Sequence, residues 1–315
     1  MNALKILFMG TPDFAVETLK MILQNKYEVV GVITAPDKPA GRGRKLQMST
    51  VKTYALTQNL PILQPTNLKD EAFVAEVKAL SANLNIVVAF RMLPKVIWNM
   101  PKHGTFNLHA SLLPAYRGAA PINWALINGE EKTGVTTFFI DEKIDTGAII
   151  LQKEVLIDKN DNAGMLHDKL MVIGAGLVID TLQLIAKEKV DLTYQPNDPE
   201  VKTAYKLNKE NTKIDWNAKG KTIYNLVRGL NPYPTAWSNL YNKGQLQMIK
   251  IYDTEFIEET HTLENGILIV EESTLKVAVS DGFIKLLRIQ LPGKRAMDTV
   301  SLLNGYKFDS DARLS

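Results

Sequence analysis

LNIVVAF, residues 84–90, is apolar at nearly every position, whereas a strand with one face in water alternates apolar and polar side chains. So short an aliphatic run suits a strand buried on both faces, which means a mostly parallel sheet covered by helices on either side. The neighbouring text agrees. Upstream, LKILFMG (4–10) leads into a helix from Pro12, EVVGVIT (28–34) reads as a second strand, and LKDEAFVAEVKAL (68–80) as a helix. Downstream come a strand, GTFNLHAS (104–111), and a helix, APINWALING (120–129). GVTTFFI (134–140) and GAIILQKEVLI (147–157) flank Asp141–Thr146 as a long-looped hairpin, and Asn162 opens a long helix to about Lys187.

From Asp191 to Trp216 the chain turns polar and proline-containing without sustained periodicity, the composition of a linker. Beyond it KTIYNLVRGL is helical, and AWSNLY, LQMIKIYD, GILIVEE, LKVAVS and FIKLLRIQL are short strands separated by turn residues. The expected organisation is an α/β domain over 1–190, a linker over 191–208 and a small β-barrel or sandwich over 209–315, of which an OB-like barrel is the form expected.

The 315 residues are 45% apolar and 23% charged, as in soluble globular proteins. With no cysteine there is neither a disulfide framework, nor a thiolate metal site, nor a cysteine nucleophile. The first apolar run is broken by Gly-Thr-Pro-Asp, too early for a signal-peptide core, and no stretch reaches the roughly 20 apolar residues that span a bilayer. A cytoplasmic protein with no membrane partner is expected. A net charge of +3 does not by itself announce nucleic acid.

Chemistry concentrates in FNLHASLLPAYRG, residues 106–118. In an extended chain Asn107 and His109 share one face while Phe106 and Leu108 enter the opposite layer. His109 closes its strand, and open α/β sheets bind ligands beyond the carboxyl ends of their strands. Read alone, the pair is either a hydrogen-bonded structural unit or part of a catalytic set. SLLP (111–114) supplies a proline-stopped apolar wall, and Asp145-Thr146-Gly147 a sharp turn that fixes a carboxylate. Amide, imidazole and carboxylate in one cleft are the parts that move a proton and stabilise an oxyanion. His167 and His261 read as solvated surface groups. Gly-Thr-Pro at 10–12 lacks the glycine fingerprint of dinucleotide sites and the P-loop lysine, so turn chemistry accounts for it as well as an anion does. APDKPAGRGRKLQ (35–47) has four cations, Lys38, Arg42, Arg44 and Lys45, against Asp37, with glycines between them. It is either a flexible, exposed solvated loop or a phosphate-gripping arm.

The order MGTPDFA, APDKPAGRGRK, NLHASLLPAYRGAAPI, DTGAII and, after the linker, LPGKRAM resembles the methionyl-tRNA formyltransferase family along essentially the whole chain. The resemblance implies a Rossmann-like first domain. It implies 10-formyltetrahydrofolate as formyl donor, no metal, and initiator methionyl-tRNA as acceptor, with a monomer expected. It carries catalytic roles onto Asn107, His109 and Asp145, folate contacts onto Ser111, Leu112, Leu113 and Pro114, and tRNA contacts onto Lys38, Arg42, Arg44 and Lys45. Residues 209–315 hold 14 Lys and Arg against 13 Asp and Glu, so RNA bound there must lie on the local clusters Lys206–Lys221 or Lys285–Arg295. Two other readings stand beside it: formyl transfer to a small amine on a sugar or nucleotide, and a catalytically silent RNA-binding protein.

Overall fold

The computed structural model describes residues 3–40, 45–196 and 200–315. The chain divides into two compact units, one of residues 1–118, 133–156 and 167–203, the other of 119–132, 157–166 and 204–315.

The first unit is built on a seven-stranded sheet. Its strands are β1 (Lys5–Gly10), β2 (Glu28–Ile33), β5 (Ile62–Leu63), β6 (Leu84–Val88), β7 (Thr105–His109), β9 (Lys132–Phe139) and β10 (Ile149–Leu156). A two-stranded ribbon, β3 (Lys38–Ala40) with β4 (Lys45–Gln47), interrupts the numbering. So does a short pair, β8 (Arg117–Gly118) with β11 (Thr203–Ala204). The sheet order is β10-β9-β7-β6-β1-β2-β5, parallel from β5 through β7, with β9 antiparallel to β7. All of β6 is buried, as its nearly continuous apolar text requires, and the amide of Asn85, its one polar side chain, donates to Ile97 O. Helices α1 (Asp13–Gln24) and α6 (Ala163–Ala186) cover one face, and α3 (Glu71–Ala79) and α4 (Lys95–Trp98) the other, while α2 (Thr50–Thr57) packs beside α1.

Sequence details act as expected at the helix ends. Asn162 Oδ1 accepts from Met165 N, so the long helix starts at its cap, and Asp70 and Ser49 cap α3 and α2 in the same way. The first helix begins one residue later than read, with Pro12 at its N-cap position. Gly10 before it allows close packing, because a Cβ there would lie 2.6 Å from Ala15 Cβ. Contrary to the reading that no stretch reaches membrane-spanning length, α6 is long and apolar enough to cross a bilayer. Over half of its most apolar window is nonetheless buried inside the fold, with Gly174 admitting Leu108 of β7 and Thr181 bonded to Thr137. It packs over β7 and β9, apolar because it is enclosed.

The second unit joins α5 (Pro121–Ile127) and α7 (Gly220–Leu230) to an antiparallel sheet. The sheet comprises β12 (Ala236–Asn242), β13 (Gln245–Glu258), β14 (Leu268–Glu271), β15 (Thr274–Val279), β16 (Gly282–Gln290), β17 (Met297–Asp298) and β18 (Arg313–Leu314), and α8 (Thr299–Leu303) packs on it. The order β14-β15-β16-β13-β12-β18 closes into a small barrel, because Leu268 N donates to Ala312 O and Leu314 N to Gly266 O. Ile223, Val227 and Leu230 of α7 fill it together with Ile249, Val277 and Ile284. Burying such a side chain contributes ~1.5–3 kcal/mol.

Among the described residues, the polar span after Asp191 is held at several points. Thr193 bridges to Ile149 in the first unit, and Ile214 and Trp216 are buried in the barrel core. His261, read as solvated, is half-buried: Nε2 donates to Gly282 O at 2.8 Å, Nδ1 accepts from Leu263 N, and the ring lies 4.5 Å from that of Phe283.

Candidate active site

Asn107 and His109 lie on the face of β7 opposite α6, as strand alternation requires, and His109 closes the strand at the carboxyl edge of the sheet. His109 is only 6% exposed. Its Nε2 lies 2.9 Å from the carbonyl oxygen of Tyr116. A carbonyl only accepts, so Nε2 carries the hydrogen and Nδ1 is left to face Asp145 Oδ2 at 3.7 Å. That separation exceeds a hydrogen bond, and the two groups attract as an ion pair only when Nδ1 carries a proton as well. Asp145 Oδ2 is held from another direction by the Gly118 N–H at 2.9 Å. Asn107 Oδ1 is buried with no hydrogen-bond partner among the described residues, an uncommon state for a native polar atom and a frequent one where a ligand completes the bonding.

The β9–β10 loop that carries Asp145 is organised by its own side chains. Asp141 accepts from Thr146 Oγ1 and from Lys143 N, so this second carboxylate is spent on loop structure. Asp145 has φ +56°, and a Cβ on Gly147 would sit 1.6 Å from Phe139 O, so only glycine fits there.

Of the residues expected to meet folate, Ser111 is fully buried with its hydroxyl bonded to Ala115 O, and Leu113 is buried with Phe138 and Ile149. The half-buried side chains of Leu112 and Pro114 are the ones open to a ligand. Thr136 and Gln152 hold this segment from β9 and β10: Thr136 Oγ1 donates to Ser111 O and accepts from Leu113 N, and Gln152 Nε2 donates to Leu113 O. Sequence reading passed over both, since a Thr and a Gln on strands carry no motif.

The stretch 35–47 differs in part from a flexible loop, because its arms pair as β3 and β4, Lys38 opposite Gln47. Lys38 is exposed at the start of the ribbon and Lys45 opens its second strand, while Arg42 and Arg44 lie outside the described residues. Asp37 turns to the protein body. Lys52 Nζ reaches its Oδ2 at 2.6 Å and Gln64 its Oδ1 at 2.8 Å, which hold the carboxyl below its ordinary range, Lys52 first. The single acidic residue of the stretch is thus paired elsewhere. A depression of about 560 Å³ lies beyond β5, lined by Gln64, Thr66, Asn67, Asp70 and Phe73, and none of the expected site residues lines it.

In the barrel unit, Lys209 Nζ and Lys213 Nζ stand 5.3 and 5.7 Å from the ring centre of Trp237, whose Nε1 donates to Lys209 O. In the Lys285–Arg295 cluster, by contrast, Lys285 pairs with Glu255 and Arg288 faces Asp253.

Residues 4–182 match the family model described as formyl transferase, and residues 206–307 that of the formyl transferase C-terminal domain. The chain is 61% identical to methionyl-tRNA formyltransferase of Flavobacterium johnsoniae over 314 residues, 100% of each chain. It is 52% identical to that of Bacteroides thetaiotaomicron, over 99% of this chain and 98% of the other. Among solved structures, the N-formyltransferase from Helicobacter canadensis, in complex with folinic acid and dTDP-3-aminofucose, matches with TM-score 0.64 at 23% identity. That match covers 90% of this chain and 98% of the other and shows a shared fold. Sequence identity of this extent over both domains leaves one conclusion: the chain belongs to the methionyl-tRNA formyltransferase family.

Proposed function

We propose that the protein transfers the formyl group of 10-formyltetrahydrofolate to the α-amino group of initiator methionyl-tRNA, as a cytoplasmic monomer, with Asn107, His109 and Asp145 as the catalytic residues. The observation that carries the reading is the His109–Asp145 pairing at the carboxyl edge of the sheet, beside an Asn107 whose buried oxygen lacks a partner. The full-length likeness to methionyl-tRNA formyltransferases supports the acceptor.

In the transfer, the amine nitrogen bonds to the formyl carbon, the bond from that carbon to the donor nitrogen breaks, and a proton passes from the incoming to the outgoing nitrogen. With Nε2 tied to Tyr116 O, Nδ1 is the ring position that exchanges a proton. When it is protonated, Asp145 balances the charge, and the Nδ1–H together with the Asn107 amide stabilises the oxyanion that develops on the formyl oxygen. No metal enters these steps. Leu112 and Pro114 line the donor side, and Ser111 and Leu113 set that wall from within.

On this reading residues 1–190 carry the chemistry, and 209–315, past the linker 191–208, hold the tRNA. Lys38, Arg42, Arg44 and Lys45 take phosphates of the acceptor arm, and the lysines gathered on Trp237 make the better barrel contact because the other cluster is partly neutralised. The test is formylation of methionyl-tRNA beside a nucleotide-sugar amine, with the same folate donor. Rapid formylation of the tRNA alone is expected, and preference for the sugar amine would overturn the acceptor assignment.

A further inference from the structure

We propose that Arg117 and Gln195 form a positioning pair that sets the Asp145 carboxylate against His109. The inference rests on the reading that His109 and Asp145 act in the transfer. Gln195 Nε2 donates to Asp145 O at 3.0 Å and to Gly147 O at 2.8 Å, which uses both amide hydrogens. Gln195 Oε1 accepts from Arg117 Nε at 3.0 Å and from Arg117 Nη2 at 2.8 Å, which uses both lone pairs. The orientation of the amide is therefore fixed by chemistry: its oxygen faces a group that only donates, and its nitrogen faces two carbonyls that only accept.

Arg117 occupies a telling place. The residue before it, Tyr116, receives the His109 hydrogen, and the residue after it, Gly118, donates to the Asp145 carboxylate. Three consecutive residues thus hold the imidazole, the clamp and the carboxylate. The planar guanidinium fork grips the Gln195 oxygen through two bonds at once, which a lysine does not reproduce. The turn it secures needs securing, because Asp145 has a left-handed backbone, uncommon for a residue other than glycine. Without the clamp the carbonyls of Asp145 and Gly147 lose a shared donor, and the Gly118 N–H is left to hold the carboxylate on a loosened turn.

Gln195→Glu is the sharpest probe. It preserves size and strengthens the contact with Arg117, yet places a carboxylate oxygen against two carbonyls where an NH₂ stood. Arg117→Lys is the milder companion, and it carries the test if Gln195→Glu fails to fold. The measurement is the single-turnover rate of formylation at saturating methionyl-tRNA and 10-formyltetrahydrofolate. Binding of 5-formyltetrahydrofolate and of tRNA, and thermal melting, are measured alongside. Gln195→Glu should slow turnover on the order of 100-fold, the effect of a misplacement of about 1 Å, and Arg117→Lys should slow it roughly 10-fold, both with affinities near wild type. In an Asp145→Asn background Gln195→Glu should add no further loss, since the clamp acts through that carboxylate. The proposal is overturned if Gln195→Glu, or Arg117→Lys in its place, turns over at the wild-type rate. It is equally overturned if the losses multiply in the double variant, or vanish once the unfolded fraction is subtracted. Wild-type turnover by Asp145→Asn alone would instead overturn the role of Asp145 on which the inference rests.

Discussion

Replacing Gly147 by alanine asks how little movement the Asp145 turn can absorb. The added Cβ would lie 1.6 Å from Phe139 O, and real Cβ atoms essentially never come closer than 3.0 Å to such an atom, so turn and strand must part by about 1.4 Å. The obstacle is backbone in β9, which has no rotamer to yield. The Asp145 carboxylate now stands 3.7 Å from Nδ1 and travels with that turn. A misplacement of about 1 Å costs on the order of 100-fold in rate, so Gly147→Ala should lose at least that factor in single-turnover formylation. Overpacking should destabilise the fold by ~1–3 kcal/mol, visible in denaturant melts. Gly176→Ala is the control: nothing lies within 4 Å of its added methyl, and in the interior of α6 alanine should gain ~0.5–1 kcal/mol with turnover unchanged. Turnover within threefold of wild type for Gly147→Ala, with an unaltered melt, would refute the claim that this turn positions the carboxylate.

His109→Ala should reduce turnover by about 100- to 1,000-fold, with donor affinity by titration nearly unchanged, because its interaction belongs to the transition state. Asp37→Asn should lower the melting temperature at neutral pH by loosening the base of the 35–47 ribbon. The folded carboxyl sits below its ordinary value, so its contribution is present above about pH 4 and disappears as pH falls through the folded value; wild-type and variant melts should converge in acid. Trp237→Ala removes the ring that holds Lys209 and Lys213 side by side, and filter binding should show methionyl-tRNA affinity reduced roughly two- to fivefold, as for a loss of ~0.5–1 kcal/mol when the two ammonium groups are no longer pre-placed. Arg42→Leu should depress formylation of methionyl-tRNA across a range of salt while donor affinity holds, and a wild-type rate would return the 35–47 stretch to a solvated loop.

Local pattern sufficed for the architecture. The nearly continuous apolar run Leu84–Val88 specified a strand buried on both faces, the Asn162 cap set the start of α6, and i, i+2 alternation put Asn107 and His109 on one side of β7. These are short-range properties, and residues a few positions apart decide them. What lay beyond sequence reading depends on which distant segments meet. The polar text around Gln195 reads as linker, and only the approach of Arg117, Asp145 and Gly147 from two other segments makes it a clamp. Helix α5 closely follows the stretch that carries Asn107 and His109, yet Asn123 bonds to Gly229 O and the helix packs with α7 in the barrel unit. The barrel itself closes through Ala312–Leu314, too short a segment to show a period. The direction in which Asp145 points is likewise set by a Gly118 N–H, a backbone group that every residue but proline possesses and that no side-chain pattern announces.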